Sequence, residues 1–518
     1  MSNINAQEKP QLLETIQSLV FAFVLAMTFR GFVIEGFVIP TGSMAPTLRG
    51  MHLQKHSNQT GQNFAVGFDN ARSFSPERFI DPLLSRRHPL ALTEAKKIIP
   101  KSGDRVLVMK ALYPFLEPSR YDVVVFKNPT DTQGASANYI KRLIGLPGET
   151  VFIADGDVFA KTENSSFAIQ RKPEYIQKSL WRPISNSDAI PVDNLGLAIP
   201  WKGPDWRGNP KIAWDFTNRT WACNSPSSSV LTWDPTDLPI DDWLPYNMLM
   251  PPVKYSPISD IRVEATIRPE NSELVSSFSL EAVRHQFDWL IENTTATLTI
   301  RKEGGEVFDS VSTKMKKIEK GVPFRMECWH VDQSMVLFIN GERIASLEYD
   351  FGPHMRILLS TGSLRSTPIE EAILQEPLKP KMQWRFNGSP LTLTRLQVDH
   401  DLYYRESRLP SRATKNPTMK GNEKLVQAGT PAFGTHPSKL GVLADNQFMM
   451  AGDNSAYSLD SRLWGNPDEY VAAQIDDTPF VVHRDLLIGK AWSVYWPAPH
   501  HFLDFPIIPD FNQIRFIR

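Results

Sequence analysis

The chain has 518 residues, too many for one ordinary hydrophobic core, so two or more folded units are expected. Its 56 Lys plus Arg stand against 57 Asp plus Glu, a balance that gives no support to nucleic acid as a partner. The composition is that of a globular protein, 41% hydrophobic and 22% charged, and 41 Pro with 13 Trp favour loops and strands over long helices.

Residues 1–11 read as a short polar tail. The run from Ile16 to Phe29, IQSLVFAFVLAMTF, covers about 21 Å as a helix, short of a roughly 30 Å hydrocarbon layer. Extended over 12–34 it is long enough to span a bilayer, with Arg30 able to snorkel at one interface and Glu14 near the other. A buried core helix and a cleaved signal peptide compete with this reading. The second is weakened by a barely basic leader and the lack of a small-residue cleavage site. Lys9 is offset by Glu8 and Glu14, so charge does not set the topology.

Next comes FVIPTGSMAPTLRG, residues 37–50, in which Ser43 sits between two prolines just past the apolar segment. Residues 35–160 are expected to form the first part of a mainly β domain, with 50–100 inserted as loops and short helices. Alternating runs at 104–109 and 121–126, and a further run at 139–144, predict strands. VFIADGDVF, 151–159, predicts a hairpin turning at Asp155-Gly156. Residues 161–257, rich in Pro, Trp, Asn and Asp, read as an irregular insert.

From 258 to 404 many short alternating strands predict an inserted β-sandwich, with Asn340-Gly341 as a hairpin turn. Residues 405–440 read as a linker. Residues 441–518 return to the texture of the first unit, so the layout is one β domain interrupted by another. Cys223 and Cys328 form no CxxC pair; one disulfide and two buried thiols both stay open.

A serine hydroxyl is a poor nucleophile without a base. None of the 11 His lies in a catalytic pattern, and no GxSxG elbow surrounds Ser43. Lysine is the alternative. In YIKRLIGLPGE, 139–149, strand alternation puts Lys141 on the face of Tyr139 and Leu143, with Arg142 opposite. An apolar setting disfavours the ammonium and frees an amine able to take the Ser43 proton. Ser458 is then available to hold the amine, and the Ser43 N–H with the Thr41 hydroxyl to stabilise an oxyanion. Each residue also has a plain structural reading. PTGS and GDN (452–454) suit ordinary turns, Lys141 a solvated charge, and Asp460 with Arg462 a local ion pair.

Together, PTGSMAPTL (40–48), GDRVLV with YDVVVFKNP (103–108 and 121–129), YIKRLIGLPGE (139–149) and GDNSAYSLDSRLWG (452–465) resemble, in order, the motifs of the type I signal peptidase family. The resemblance implies Ser43 as nucleophile, Lys141 as general base, and Thr41 with the Ser43 amide as oxyanion donors. It implies Ser458 as the lysine-orienting group, with Asp453, Asp460 and Arg462 supporting the site. Phe37, Ile39 and Met44 are expected along the substrate groove. It further implies cleavage of signal peptides from exported preproteins after small residues, in the bacterial cytoplasmic membrane with the catalytic part outside, and with no cofactor.

Two departures stand out. Ser455 replaces the usual Arg after GDN, and about 300 residues separate the last two motifs, a length similar to that in signal peptidases of planctomycete bacteria. Some of those carry a cysteine-rich metal knuckle after the first motif. Here His52 and His56 occur there without cysteine, and no metal is expected. ECWHVDQSMVLFINGERIASLEYD, 327–350, resembles laminin-G or concanavalin-like sandwiches, with Trp329 and Trp384 as core residues. Such an insert is as consistent with a glycan or protein ligand as with a purely structural role. A catalytically decayed, membrane-tethered binding module is therefore the competing reading. A self-cleaving Ser/Lys repressor is weaker, because no DNA-binding helix pair precedes Ser43.

Overall fold

A helix runs from Glu8 to Phe32. Over Leu12–Phe32 it is long and apolar enough to cross a membrane, and its most apolar window is 0% buried by the rest of the protein. That exposure is consistent with a membrane anchor, since an uncovered apolar helix needs an apolar medium. The computed structural model describes every residue except 1–7, 58, 69–77, 85–88, 92–99, 132–135, 192–202, 249–253, 411–425 and 503–504. Most of the expected polar tail and the middle of the expected linker thus lie outside the described residues.

The helix leads directly into the strand Ile34–Val38, the edge of an antiparallel sheet. Its order continues through Arg105–Met109, Leu487–Trp496, Val123–Lys127, Asn138–Gly145, Gln447–Ala451 and Val482–His483. Strands from both ends of the sequence alternate in this order, so the sheet closes only when residues 441–518 return. A smaller sheet, built on the hairpin Thr150–Ala154 and Asp157–Lys161, also takes in Gly441–Val442.

Between these two halves lies a β-sandwich. One sheet is centred on Ile261–Pro269, Phe324–Val331 and Leu391–His400; the other on Val275–Ala282, His285–Glu292 and Lys381–Asn387. Alternation along Ile261–Pro269 turns one side of that strand inward, whereas Phe324–Val331 is buried on both sides over most of its length. Trp289, Trp384, Phe278, Phe287, Met326 and Leu393 meet in the shared core. The Asn340-Gly341 turn has both residues at positive φ, 52° and 82°, as a tight hairpin needs. Cys223 and Cys328 are buried, unpaired thiols of the same core. Trp384 is a core residue, whereas Trp329 packs with Trp181 and Phe338 in a separate cluster.

The sandwich begins earlier than expected. Arg182–Asn186, Trp206–Asn209, Trp214–Thr217, Thr220–Cys223 and Ser229–Trp233 all join its two sheets, so 161–257 is not irregular. These strands are too short for a period to emerge, and they are anchored instead by Trp206, Trp214, Trp221 and Trp233 in the core. The 50–100 segment likewise holds paired strands rather than short helices among its described residues: His52–His56 with Asn63–Gly67, and Arg78–Ile80 with Pro89–Ala91. Leu53, Phe64 and Val66 give the first pair its own small core. Leu409, Val426 and Phe433 lie inside the expected linker 405–440 yet are buried with Tyr121 and Ile144, so its described ends are packed on the β domain rather than loose.

The two bodies meet through buried charge. Arg356, on the sandwich helix Pro353–Thr361, donates Nε to Asp155 Oδ2 at 2.8 Å and Nη2 to Asp260 Oδ1 at 3.1 Å, with Asp157 at 3.5 Å. Lys172 joins Asp332 and, at 2.9 Å, Asp401. Taking away one partner of such a pair strands the other in a low-dielectric interior. Arg356→Ala is therefore expected to cost about 3–5 kcal/mol, read as a lowered urea midpoint of tryptophan fluorescence. An unchanged midpoint would mean that water already solvates this seam.

Candidate active site

Pro40 ends the entry into the first motif, and residues Gly42–Met44 form a single 3-10 turn. Ser43 lies on that turn. Lys141 comes from the strand Asn138–Gly145, held between Val123–Lys127 and Gln447–Ala451. Alternation along that strand sends Lys141 to the side of Tyr139 and Leu143, against a cluster with Phe126, Phe448 and Trp464. The Lys141 ammonium position is 5.7 Å from the centre of the Tyr139 ring. Lys141 is only 3% exposed, and its Nζ is 2.5 Å from Ser43 Oγ.

Burial is the main influence on this amine and lowers its pKa to about 8. Asp460 pulls the value up, Arg462 opposes, and Asp453 again raises it. Asp460 would itself be pushed up by burial, but Arg462 overrides this and holds it below the usual carboxylate range. The pair is bidentate, Nε to Oδ1 at 2.9 Å and Nη2 to Oδ2 at 2.7 Å. Asp460 Oδ2 also accepts the Gly452 N–H at 2.9 Å. The near-neutral Asp460–Arg462 pair explains why desolvation decides the state of Lys141.

Arg142 points the other way and makes a second bidentate pair, Nε to Asp453 Oδ1 at 2.8 Å and Nη2 to Asp453 Oδ2 at 2.7 Å. Thr47 Oγ1 donates to the same carboxylate at 2.5 Å, and Arg182 Nη2 to the Asp453 carbonyl at 2.6 Å. Burial disfavours the Asp453 anion, but Arg142 more than compensates and keeps its pKa low. Asp453 thus ties the 452–454 turn to the Lys141 strand and to the segment after Ser43. Gly452 is needed there, since a Cβ would meet Ser458 Oγ at 2.2 Å and the Ser43 carbonyl at 2.5 Å.

A cavity of about 460 Å³ opens beside Ser43 and Lys141. Thr41, Tyr139, Ile140, Tyr246 and Asn454 border it. The Thr41 side chain makes no capping hydrogen bond to the Gly42–Met44 turn. The expected groove residues are elsewhere. Ile39 and Met44 are buried in the core under the sheet, because the 3-10 turn rotates Met44 inward. Phe37 packs partly on that core and borders a separate cavity near the end of the helix. Ser458 is buried beside Asp460, and its Oγ has no regular hydrogen-bond partner among the described residues, Lys141 included.

Ser455 does not leave a gap where an arginine was expected. Its Oγ accepts from Arg462 Nη1 at 2.6 Å and from the Arg405 N–H at 2.7 Å. The Arg405 guanidinium pairs with Asp242 of the insert. Sequence reading also missed Tyr246 and Asn247, which the insert brings to the site. No motif marks them, and only their three-dimensional position reveals them. Among the described residues, carboxylate oxygens of Asp157, Asp260 and Asp332 lie within 4.8 Å of one another. Arg356 and Lys172 already stand against them as counter-charges. His52 and His56 are instead engaged with the Gly50 carbonyl and Asn63.

A family model described as "Signal peptidase, peptidase S26" matches residues 98–195, a stretch that includes Lys141 but not Ser43. Signal peptidase I of Leptolyngbya laminosa is 29% identical over 190 residues, covering 36% of this chain and 64% of that protein. Signal peptidase I of Rickettsia typhi is 28% identical over 159 residues, covering 31% of this chain and 47% of that protein. The chain thus spans less than two thirds of the length of either relative. Among solved structures, a carbohydrate binding module from Bacillus subtilis aligns with a TM-score of 0.22 at 7% identity, covering 36% of this chain and 90% of that one. A protein with a galectin-like fold, also from Bacillus subtilis, aligns with a TM-score of 0.24 at 11% identity, over 39% of this chain and 91% of that one. The chain is distantly related to the signal-peptidase S26 family and carries a β-sandwich-like insert.

Proposed function

We propose that the protein is a membrane-bound serine endopeptidase that removes signal peptides from exported preproteins, with Ser43 as nucleophile and Lys141 as base. The observation that carries this reading is the 2.5 Å contact between Ser43 Oγ and the amine of the buried Lys141. In the protonated state that contact is a hydrogen bond from the ammonium to the hydroxyl. Once Lys141 is neutral, the hydroxyl donates to the nitrogen lone pair instead, which is the geometry proton abstraction needs.

The reaction then follows from these atoms. Ser43 Oγ bonds to the carbonyl carbon as its proton passes to Lys141 Nζ. The oxyanion is met by the Ser43 N–H and the Thr41 hydroxyl. Collapse breaks the peptide C–N bond, and Lys141 returns the proton to the leaving amine. Water, deprotonated by the same lysine, attacks the acyl ester, and the proton goes back to Ser43 Oγ. Asp453, Asp460 and Arg462 act by holding the turn and the electrostatics around Lys141. Ser458 supports the Asp460 side of the site. Every step uses side-chain and backbone atoms of this chain, so the reading calls for no metal or cofactor.

The anchor gives the reaction its direction. A substrate whose own apolar segment lies in the same bilayer meets the site at raised effective concentration, without tight binding. We assign the site to the outer side of the bacterial cytoplasmic membrane on this basis and on the family likeness.

A second reading keeps the anchor and drops the catalysis, making the chain a tethered module that binds a glycan or protein through its sandwich. A cavity of about 700 Å³ between residues 281–286, 302–305 and 376–381 favours it. The two readings separate in one assay. Detergent-solubilised chain is incubated with a preprotein bearing small residues one and three positions before the cut, and compared with Ser43→Ala and Lys141→Ala. The peptidase reading expects cleavage by the first and loss of at least about 10³-fold in kcat for each variant. Cleavage surviving either substitution would overturn it, and inactivity of the unaltered chain would leave the binding module.

The pH profile is a further check. Below its pKa of about 8, Lys141 carries a proton and cannot accept another. kcat/KM is expected to climb tenfold per pH unit on the acid side and level off above about pH 8. A profile flat from pH 6 to 9 would rule out this lysine as the titrating base.

A further inference from the structure

The inserted sandwich sends one short turn, Pro245–Asn247, into the wall behind Ser43. Tyr246 packs there between two backbones. A Cβ on Gly42 would meet Tyr246 Cε1 at 2.1 Å, and one on Gly67 would meet the same atom at 2.6 Å. The Tyr246 hydroxyl donates to the Met51 carbonyl at 3.1 Å, which fixes the ring in that slot.

Asn247 beside it is 5% exposed and pairs amide to amide with Asn454. Asn247 Nδ2 donates to Asn454 Oδ1 and Asn454 Nδ2 to Asn247 Oδ1, both at 2.8 Å. The second Asn454 N–H goes to the Gly42 carbonyl at 2.9 Å, and the Asn454 backbone N–H to the Ser43 carbonyl at 3.0 Å. Turning the Asn454 amide over would set oxygen against the Gly42 oxygen and break the pair with Asn247. The Gly42 carbonyl, which can only accept, selects that orientation of Asn454, and Asn247 holds the amide in place through the matched pair.

We infer that Asn247, a residue of the insert, is a positioning residue for the oxyanion donor of the active site. The Gly42 carbonyl and the Ser43 N–H belong to one planar trans peptide, so pinning the carbonyl on one side aims the N–H to the other. The chain of contacts runs from Asn247 to Asn454 to that peptide, with Tyr246 packed against Gly42 from below. Asn247 does not border the cavity and acts only through Asn454. The sandwich is thus a working part of the peptidase site, not only cargo carried by it. The inference rests on the peptidase reading above.

The test uses the full chain in detergent with the same preprotein. Asn247→Ala is expected to lower kcat about 100-fold through a small misplacement of the donor. KM should change little, and the apparent pKa should stay at the wild-type value because Lys141 keeps its surroundings. Asn454→Ala should show the same pattern, and the double variant should be no slower than Asn454→Ala alone, as expected for two residues acting in series. Should Asn247→Ala fail to fold, Asn247→Ser, too short to reach Asn454, replaces it.

An unchanged kcat, losses that multiply in the double variant, or a shifted apparent pKa would each overturn the inference. In the last case the residue supports the lysine pocket or the fold generally. A wild-type chain that cleaves nothing removes the peptidase reading and this one with it. An active wild type with an equally active Asn247→Ala removes this one alone.

Discussion

The buried Arg142–Asp453 pair organises the site. Arg142 and Lys141 are neighbours on one strand and must face opposite sides of the sheet. When Arg142 closes on Asp453, it fixes the register of that strand against the 452–454 turn, and Lys141 can then point only toward Ser43. A slip of one residue would bury the guanidinium in the Phe126–Phe448–Trp464 cluster and turn the lysine away. Charge pairing on one face therefore secures an uncompensated amine on the other. A lone buried lysine is unstable as an ammonium, and the fold places it where deprotonation relieves that cost.

The same pair has a topological consequence. Asp453 reaches Thr47 near the start of the chain, Arg142 in the first half of the domain and Arg182 at the entrance to the sandwich. Segments far apart in sequence are thus joined at one buried residue, Thr47 and Arg142 on its carboxylate and Arg182 on its backbone carbonyl. This tolerates a large insertion, because the chain leaves and returns at neighbouring points: the Asp155–Asp157 turn at one end lies against Tyr403 at the other, and Arg405 then reaches Ser455. Gly156 packs directly on Tyr403, so close that a Cβ would meet its ring at 2.2 Å. The insert is clamped by Arg356 and Lys172 rather than tethered by a free linker.

Much of the fold was legible in the chain because it rests on local pattern. The apolar run near the N-terminus, the Val-rich strands around 105–109 and 123–127, and the Asp-Gly and Asn-Gly turns each carry their signal within a few residues. Ser43 and Lys141 were legible through motifs whose order, not whose single residues, carries information. Other readings failed where tertiary packing decides. Met44 was expected along the substrate groove, yet a 3-10 turn buries it. Residues 161–257 looked irregular, because strands of four or five residues held by single tryptophans show no period. Ser458 lies near enough to Asp460 to follow its motif, but not in a bond to the lysine.

What the sequence determined alone is the inventory and its order: an anchor-length apolar helix, a mainly β domain cut by a β insert, and a serine and a lysine set on short, strongly patterned segments. Only the folded chain decided which groups meet. The separation of Ser43 from Lys141, the lowered pKa of that amine, and the arrival of Tyr246 and Asn247 behind Ser43 all depend on contacts between residues more than a hundred positions apart or nearly so. Hydrophobic period reports which way a side chain faces within its own element. It carries nothing about what the opposing element brings, and burial, charge pairing and reactivity are properties of that opposition.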